Sequence, residues 1–135
     1  METRSSRSTQ RAEVTLTVPA DSIYLSVVRT AAAGLGARLD FTLDDIEDLR
    51  IAVDEACALL LKQARAASQM RCEFTVDDHA LGVRASALCD HPTVPSRDGF
   101  SWTVLTALTS TLDMEVQDSE LVIELTRGRG GDEQQ

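Results

Sequence analysis

The sequence predicts an α+β domain, a two-layer sandwich in which a mixed or antiparallel sheet of about five strands carries three helices on one face. Segments with alternating apolar residues, typical of half-buried strands, are interleaved with segments whose apolar residues recur every three or four positions, as in amphipathic helices. Their order is β-α-α-β-β-α-β-β, which suits two packed layers. A length of 135 residues with 43% hydrophobic content suits a single domain with its own core.

The chain divides into one folded domain and two terminal segments. Residues 1–11, METRSSRSTQR, are polar and basic, and residues 127–135, RGRGGDEQQ, have no apolar periodicity. Segments that bury little apolar surface cannot offset the entropy cost of ordering, so both are expected to be disordered. The folded domain is therefore predicted to span residues 12–126.

The first two elements are predicted from alternation and from helical spacing. In AEVTLTV every second residue is apolar, which indicates a strand that Pro19 ends. The next segment places four apolar residues on one side of a helix: Ile23, Val27, Ala31 and Leu35. We expect Gly34 and Gly36 to close this helix, because glycine is common at helix C-termini.

A second helix is predicted from residue 44 to about Ala64. Thr42 precedes it as an N-cap with Asp45 three residues on, a variant of the capping box. At about 100° per residue, the core stripe comprises Ile46, Leu49, Val53, Ala56, Cys57 and Leu60. The opposite side carries Asp48, Ala52, Glu55 and Leu59. A single Glu between an Ala and a Leu is unusual for a surface that faces solvent.

Two hairpins and a third helix complete the pattern. MRCEFTV and LGVRASALC, separated by DDHA, predict the first hairpin, and DMEV and ELVIELT predict the second across residues 117–119. Residues 90–99 form a proline-containing loop between the hairpins. FSWTVLTALTSTL then predicts a helix from four apolar residues at helical spacing: Trp102, Leu105, Leu108 and Leu112.

Composition argues against several classes of function. A net charge of −9 disfavours a nucleic-acid surface, which needs clustered Lys and Arg. No apolar run approaches the roughly 20 residues that span a bilayer, and the N-terminus lacks the apolar region of a signal peptide. The three cysteines include no CxxC pair, which predicts reduced core thiols in a cytoplasmic protein. Cys89, Asp90 and His91 are adjacent and do not converge as metal ligands do, so no metal site is expected.

The order of elements and two sequence motifs resemble a known family. IAVDEACALLL, on the second helix ahead of a hairpin, is similar to the N-box helix of the histidine-kinase-like ATPase fold. Within that fold the chain resembles the RsbW-type anti-sigma factors of bacterial partner switching, in their actinobacterial branch. The resemblance covers roughly residues 12–126 and is strongest in LRIAVDEA and GFSWTVLTAL. Such proteins hold a sigma factor away from RNA polymerase until a STAS-type anti-anti-sigma protein competes for them, and many phosphorylate that competitor on serine using ATP.

The family's N-box has a Glu followed four residues later by an Asn, on one helix face. The Glu orients or deprotonates the attacking hydroxyl, and the Asn helps to hold Mg²⁺ on the phosphates. Glu55 matches the Glu as a vestigial general base, whereas Leu59 stands at the Asn position and offers no oxygen to a metal. The resemblance implies that the side of the helix with Asp48, Ala52, Glu55 and Leu59 faces a nucleotide pocket that has lost one chemical group.

The family's glycine motif follows the hairpin as Asp-x-Gly-x-Gly, where the Asp binds the adenine amino group and the glycines let the backbone approach. Asp90 matches the Asp and would be a vestigial adenine contact, whereas Pro92 and Val94 replace the glycines. Proline lacks the N–H and the flexibility that a phosphate-binding loop uses. The family's glycine-rich lid is shortened here to about residues 91–99, with Gly99 its only glycine.

These departures favour a binding protein over an enzyme: an anti-sigma factor that sequesters an alternative sigma factor, with no cofactor expected. The alternative is an active serine/threonine kinase of the anti-anti-sigma protein using ATP and Mg²⁺, because Glu55 and Asp90 are retained. A third interpretation is an interaction module unrelated to sigma factors, because fold does not determine function. The family also makes a homodimer possible. The acidic run at residues 44–48 either favours the helix start or meets a basic sigma-factor surface.

Overall fold

The computed structural model describes residues 12–130, so the predicted disorder of residues 1–11 lies outside the described residues. The strands are β1 (Ala12–Pro19), β2 (Gln69–Val76), β3 (Ala80–Leu88), β4 (Thr111–Gln117) and β5 (Glu120–Gly128). The helices are α1 (Leu25–Arg38), α2 (Leu43–Gln63) and α3 (Phe100–Leu108), with a short 3-10 turn at Ser22–Tyr24 before α1. The predicted α+β class and element order are confirmed.

All five strands form one sheet in the order β1-β2-β3-β5-β4, and every neighbouring pair is antiparallel. The register aligns the apolar positions: Phe74 of β2 lies opposite Val14 of β1 and Val83 of β3. Because side chains alternate between the faces of a strand, these residues share one face of the sheet. Buried residues of the three helices join them in a single core, which gives the two-layer sandwich.

The end of α1 differs from the prediction, since the helix continues through both glycines to Arg38. Gly36 is a contact residue, because a Cβ there would lie 3.2 Å from Phe41 and 3.5 Å from Ile46. Its missing side chain lets α1 approach the start of α2. The chain turns instead at Asp40, whose φ of 61° is one that Asp tolerates better than most residues.

The buried face of α1 also differs from the predicted stripe. The buried residues are Val28, Ala32 and Gly36, whereas Ile23 and Val27 are 70% and 45% exposed. Ile23 lies in the 3-10 turn, because the helix begins only at Leu25. The face of α1 that contacts α2 includes Gly36. The buried residues therefore lie one position after those of the predicted apolar stripe.

The predicted third helix is too long, since α3 ends at Leu108 and Leu112 belongs to β4. The Thr109 hydroxyl donates to the Leu105 carbonyl at 2.6 Å, and the Ser110 amide donates to the Thr126 carbonyl at 2.7 Å. These bonds turn the backbone from the helix into the ladder with β5. The ladder is a long-range interaction, so helical spacing could not reveal it.

The predicted end of the domain at residue 126 is two residues too early, because β5 continues through Arg127 to Gly128. The side chain of Arg127 is buried and donates to Asp45 at 2.7 Å across the core. Arg127 interrupts the apolar alternation of β5, but its ion pair with Asp45 on α2 holds the end of the strand in place. Residues 129 and 130 are also described, and the rest of the predicted disordered tail lies outside the described residues.

Asp45 has a double role at the start of α2. It forms the predicted capping box with Thr42, whose hydroxyl accepts from the Asp45 amide at 3.1 Å. It also accepts hydrogen bonds from Arg127 and from the Gly130 amide. Burial alone would raise the pKa of Asp45, but the hydrogen bonds from Arg127, Thr42 and Gly130 together lower it below the ordinary value of 3.8.

Cys57, Cys72 and Cys89 are buried, as expected for core thiols, and none of the three forms a disulfide. Among the helices of residues 12–130, none has the length and apolar content needed to cross a membrane.

The buried ion pair makes stability depend on Asp45. Asp45→Asn is expected to lower the free energy of unfolding by about 3 kcal/mol at neutral pH, because Arg127 would keep a charge without a buried counter-charge. A lowered folded-state pKa stabilises the fold fully above about pH 4, and this contribution is lost as the pH falls through the folded-state value. Urea unfolding of wild type and variant should therefore give a difference that narrows below about pH 4.

The exposed neighbour Asp44 supplies a matched control, because Asp44→Asn removes the same charge from the same helix turn. That variant is expected to change the free energy of unfolding by less than about 0.5 kcal/mol. Equal losses in Asp44→Asn and Asp45→Asn would contradict the role of the ion pair.

Candidate functional site

The side of α2 that carries Glu55 and Leu59 is a second packing face. Ala52 is fully buried and Leu59 is 8% exposed, and this side of α2 packs against α3. Leu105 of α3 is fully buried in the same core. The apolar back of the helix is therefore explained by burial on two sides, against the sheet and against α3.

Glu55 is half-buried and is held by α3. The hydroxyl of Ser101, in the first turn of α3, donates a short hydrogen bond to Glu55 Oε2. A carboxylate that accepts from a serine hydroxyl has the arrangement of a general base with its substrate. Here the serine belongs to the same chain and joins two packed helices.

Asp90 follows β3 and lies at the surface. Its carboxylate accepts from Arg65 Nε at 2.9 Å, and the two side chains are 65% and 48% exposed. An exposed ion pair of this kind contributes about 0–1 kcal/mol. Within the described residues no hydrogen bond or ion pair connects Asp90 with Glu55.

The segment of residues 91–99 is attached to both helices. The Gln63 side chain donates to the Thr93 carbonyl and accepts from the Thr93 amide, each at 2.9 Å. The Arg97 guanidinium lies 4.6 Å from the ring centre of Trp102 on α3, within the range of a cation–π contact. The segment is therefore tied at one end to α2 and at the other to α3.

Two shallow cavities stand out in residues 12–130, and neither is lined by Glu55, Leu59 or Asp90. The described part of the chain also holds no group of three or more His, Cys, Asp or Glu side chains that could bind a metal ion. The family roles of Glu55 and Asp90 stay predictions from the resemblance.

Two residues of this region escaped the sequence analysis. Gln63 lies four residues after Leu59 and therefore on the same side of α2, so helical spacing alone could have found it. Ser101 carries no comparable signal, because its contact with Glu55 bridges 46 residues of sequence.

The bond pair between Gln63 and Thr93 can be tested directly. Gln63→Ala is expected to speed hydrogen exchange of the Thr93 amide by about fivefold, because the amide loses its acceptor. NMR-detected exchange measures this rate. Lys62→Ala changes the exposed neighbouring side chain and should leave the rate unchanged, and similar rates in the two variants would contradict the attachment.

Comparisons with known proteins place the chain among relatives of one kind. No protein-family model matches it. The anti-sigma-F factor RsbW of Mycobacterium tuberculosis is 38% identical over 95 residues, which cover 70% of this chain and 56% of that protein. The serine-protein kinase RsbW of Halalkalibacterium halodurans is 47% identical over 51 residues, covering 38% of this chain and 32% of that protein. The serine-protein kinase RsbW of Bacillus velezensis is 41% identical over 51 residues, with the same coverage.

The chain thus spans 56% of the length of the mycobacterial relative and 32% of the length of each of the two kinases. The names of these relatives differ, since one is an anti-sigma-F factor and the other two are serine-protein kinases. Sequence similarity and the sandwich of five antiparallel strands and three helices agree with each other. The chain is therefore similar to an RsbW anti-sigma factor over 70% of its length.

Proposed function

We propose that the chain is an anti-sigma factor that sequesters an alternative sigma factor. The observation that carries this proposal is the 38% identity with an anti-sigma-F factor across 70% of the chain. Release would come from a STAS-type anti-anti-sigma protein that competes with the sigma factor for the same or an overlapping surface. The fold supports the proposal, because the sheet of five strands and the three helices have the architecture that the RsbW resemblance implies.

We further propose that the chain binds ATP weakly or not at all and transfers no phosphate. The residues present do not fit Mg-ATP: Leu59 offers no oxygen to Mg²⁺, and Glu55 is engaged by Ser101. The Asp90 carboxylate is paired with Arg65 at the surface. Phosphoryl transfer depends on a positioned metal and on closure around the phosphates, and neither is provided for here.

A kinase is the second candidate, favoured by one contact. The Glu55 carboxylate accepts a hydrogen bond from a serine hydroxyl, as a base acting on a phosphate acceptor must. Relatives named as serine-protein kinases match part of the chain at 41–47% identity. In that case the Ser101 hydroxyl would have to leave Glu55 and a partner serine would replace it.

Sigma-factor binding is tested by an affinity pull-down from the native cytosol with the full chain as bait. We expect an alternative sigma factor among the retained proteins, identified by mass spectrometry. A bait unfolded by heat before it is immobilised serves as the control for adhesion to a misfolded surface. Recovery of no sigma factor by folded, abundant bait would contradict the proposal.

Competition between partners is tested by size-exclusion chromatography of the chain, its sigma factor and its anti-anti-sigma protein. We expect two binary complexes that exclude each other, because overlapping surfaces cannot be occupied together. A persistent ternary complex would refute simple partner switching.

The absence of phosphoryl transfer is tested by calorimetry with Mg-ATP and by incubating the chain and its partner with labelled ATP. We expect no binding at micromolar ATP and no label on the partner. Glu55→Ala should leave sigma-factor binding and its reversal unchanged, with Ser101→Ala as the matched loss of the same hydrogen bond. Micromolar affinity, or label that disappears in Glu55→Ala, would establish the kinase instead.

A further inference from the structure

The face of the sheet opposite the core is left uncovered by the helices. On this outer sheet face, the outward-facing positions of the five strands carry two guanidinium groups, from Arg71 and Arg84, and six carboxylates. The carboxylates belong to Glu13, Glu73, Asp113, Glu115, Glu120 and Glu124. The outer sheet face therefore bears a large excess of negative charge.

The two arginines of this face already form ion pairs with carboxylates of the same face. Arg84 lies 3.1 Å from Glu124 and 3.3 Å from Glu73, and it also donates to Gln117 at 3.1 Å. Arg71 lies 3.7 Å from Glu73. Within residues 12–130, no ion pair involves Glu13, Asp113 or Glu120. Their charges remain available to a partner.

The register of β4 and β5 adds a second observation. Asp113 and Glu124 are directly opposite each other, and both side chains point to the outer sheet face. Like charges opposite each other across a strand pair destabilise a sheet, and nothing in the core requires this pair. Arg84 offsets the charge of Glu124 at 3.1 Å, so a cation supplied from outside the chain would act on Asp113.

The shape of this face limits what can occupy it. A shallow cavity of ≈ 490 Å³ extends over the outer sheet face and is lined by residues of every strand, from Glu13 on β1 to Asp113 on β4. Five strands about 4.8 Å apart measure roughly 19 Å across, the length of about six extended residues. The cavity therefore suits an extended peptide segment.

A second copy of the chain is a poor occupant, because two such faces would bring their carboxylates together. The acidic start of α2 is not a competing site for a basic partner. Asp45 and Asp48 contact Arg127 at 2.7 and 3.4 Å, and Glu47 lies 3.8 Å from Arg50. At the start of α2 only Asp44 has no ion pair within residues 12–130, whereas Glu13, Asp113 and Glu120 on the outer sheet face have none.

We propose that the outer sheet face binds an extended, Arg- and Lys-rich segment of a protein partner. This inference rests on the proposed function only for the partner's identity, since a DNA-binding sigma factor carries basic segments of this chemistry. Charge complementarity would hold the segment across the strands, and salt would weaken it because the pairs are exposed.

The test measures binding of a fluorescein-labelled ten-residue peptide of alternating Arg and Thr by fluorescence anisotropy. In the double variant Glu13→Gln, Asp113→Asn, whose carboxylates both line the cavity, affinity is expected to fall about fivefold, the loss of two exposed charge pairs. The control variant Asp44→Asn, Glu47→Gln removes two charges from the helical side and should bind like the wild type. NMR shifts should change at strand residues such as Thr75 and Thr126.

If both variants lost the same affinity for the peptide, the loss would reflect the net charge of the protein alone. That result would overturn the assignment of the binding site to the outer sheet face. No binding of the peptide to the wild type, or a wild-type dimer that the sheet variant alters, would overturn it as well. The peptide assay needs no sigma factor, so its failure leaves the proposed function intact. A pull-down without a sigma factor, in turn, contradicts the function and leaves the peptide result standing.

Discussion

The buried ion pair of Asp45 and Arg127 is the interaction on which the arrangement of the helical layer depends. Arg127 also donates to the Leu108 carbonyl at 3.1 Å, so one guanidinium joins the start of α2, the end of α3 and the last strand. Charges removed from water are tolerated only when nearly all their hydrogen-bonding atoms are satisfied. Arg127 Nε has no hydrogen-bond partner among the described residues, which makes the contacts of the two terminal nitrogens more important.

The ion pair places α2 beside α3. This position explains why the side of α2 opposite the sheet-facing stripe is apolar. With α3 held alongside, Ala52 and Leu59 become core residues, and Glu55 can remain only because Ser101 satisfies its carboxylate. An unpaired half-buried carboxylate would be costly. This face of α2 therefore contributes to packing between α2 and α3.

The two faces of the sheet have different roles, one in stability and the other in surface charge. The inner face, with Phe74 and Ile123 fully or almost fully buried, contributes the hydrophobic stability of the fold. The outer sheet face contributes little apolar burial and concentrates charge, with Arg84 as the central link between neighbouring strands. Charged groups on an exposed sheet add little to stability and much to the choice and rate of association. A surface of this kind suits exchange between partners.

The sequence by itself determined the order of strands and helices, because the apolar periods of two and 3.6 residues are local properties. It also determined that Glu55 and Leu59 share one side of a helix and that Leu59 offers no metal ligand. Only the tertiary structure decided that Gly36 is a contact, that Arg127 is buried and that Asp90 pairs with Arg65. Each of these depends on a partner distant in sequence, and a local pattern carries no information about which distant groups will satisfy a charge or fill a gap.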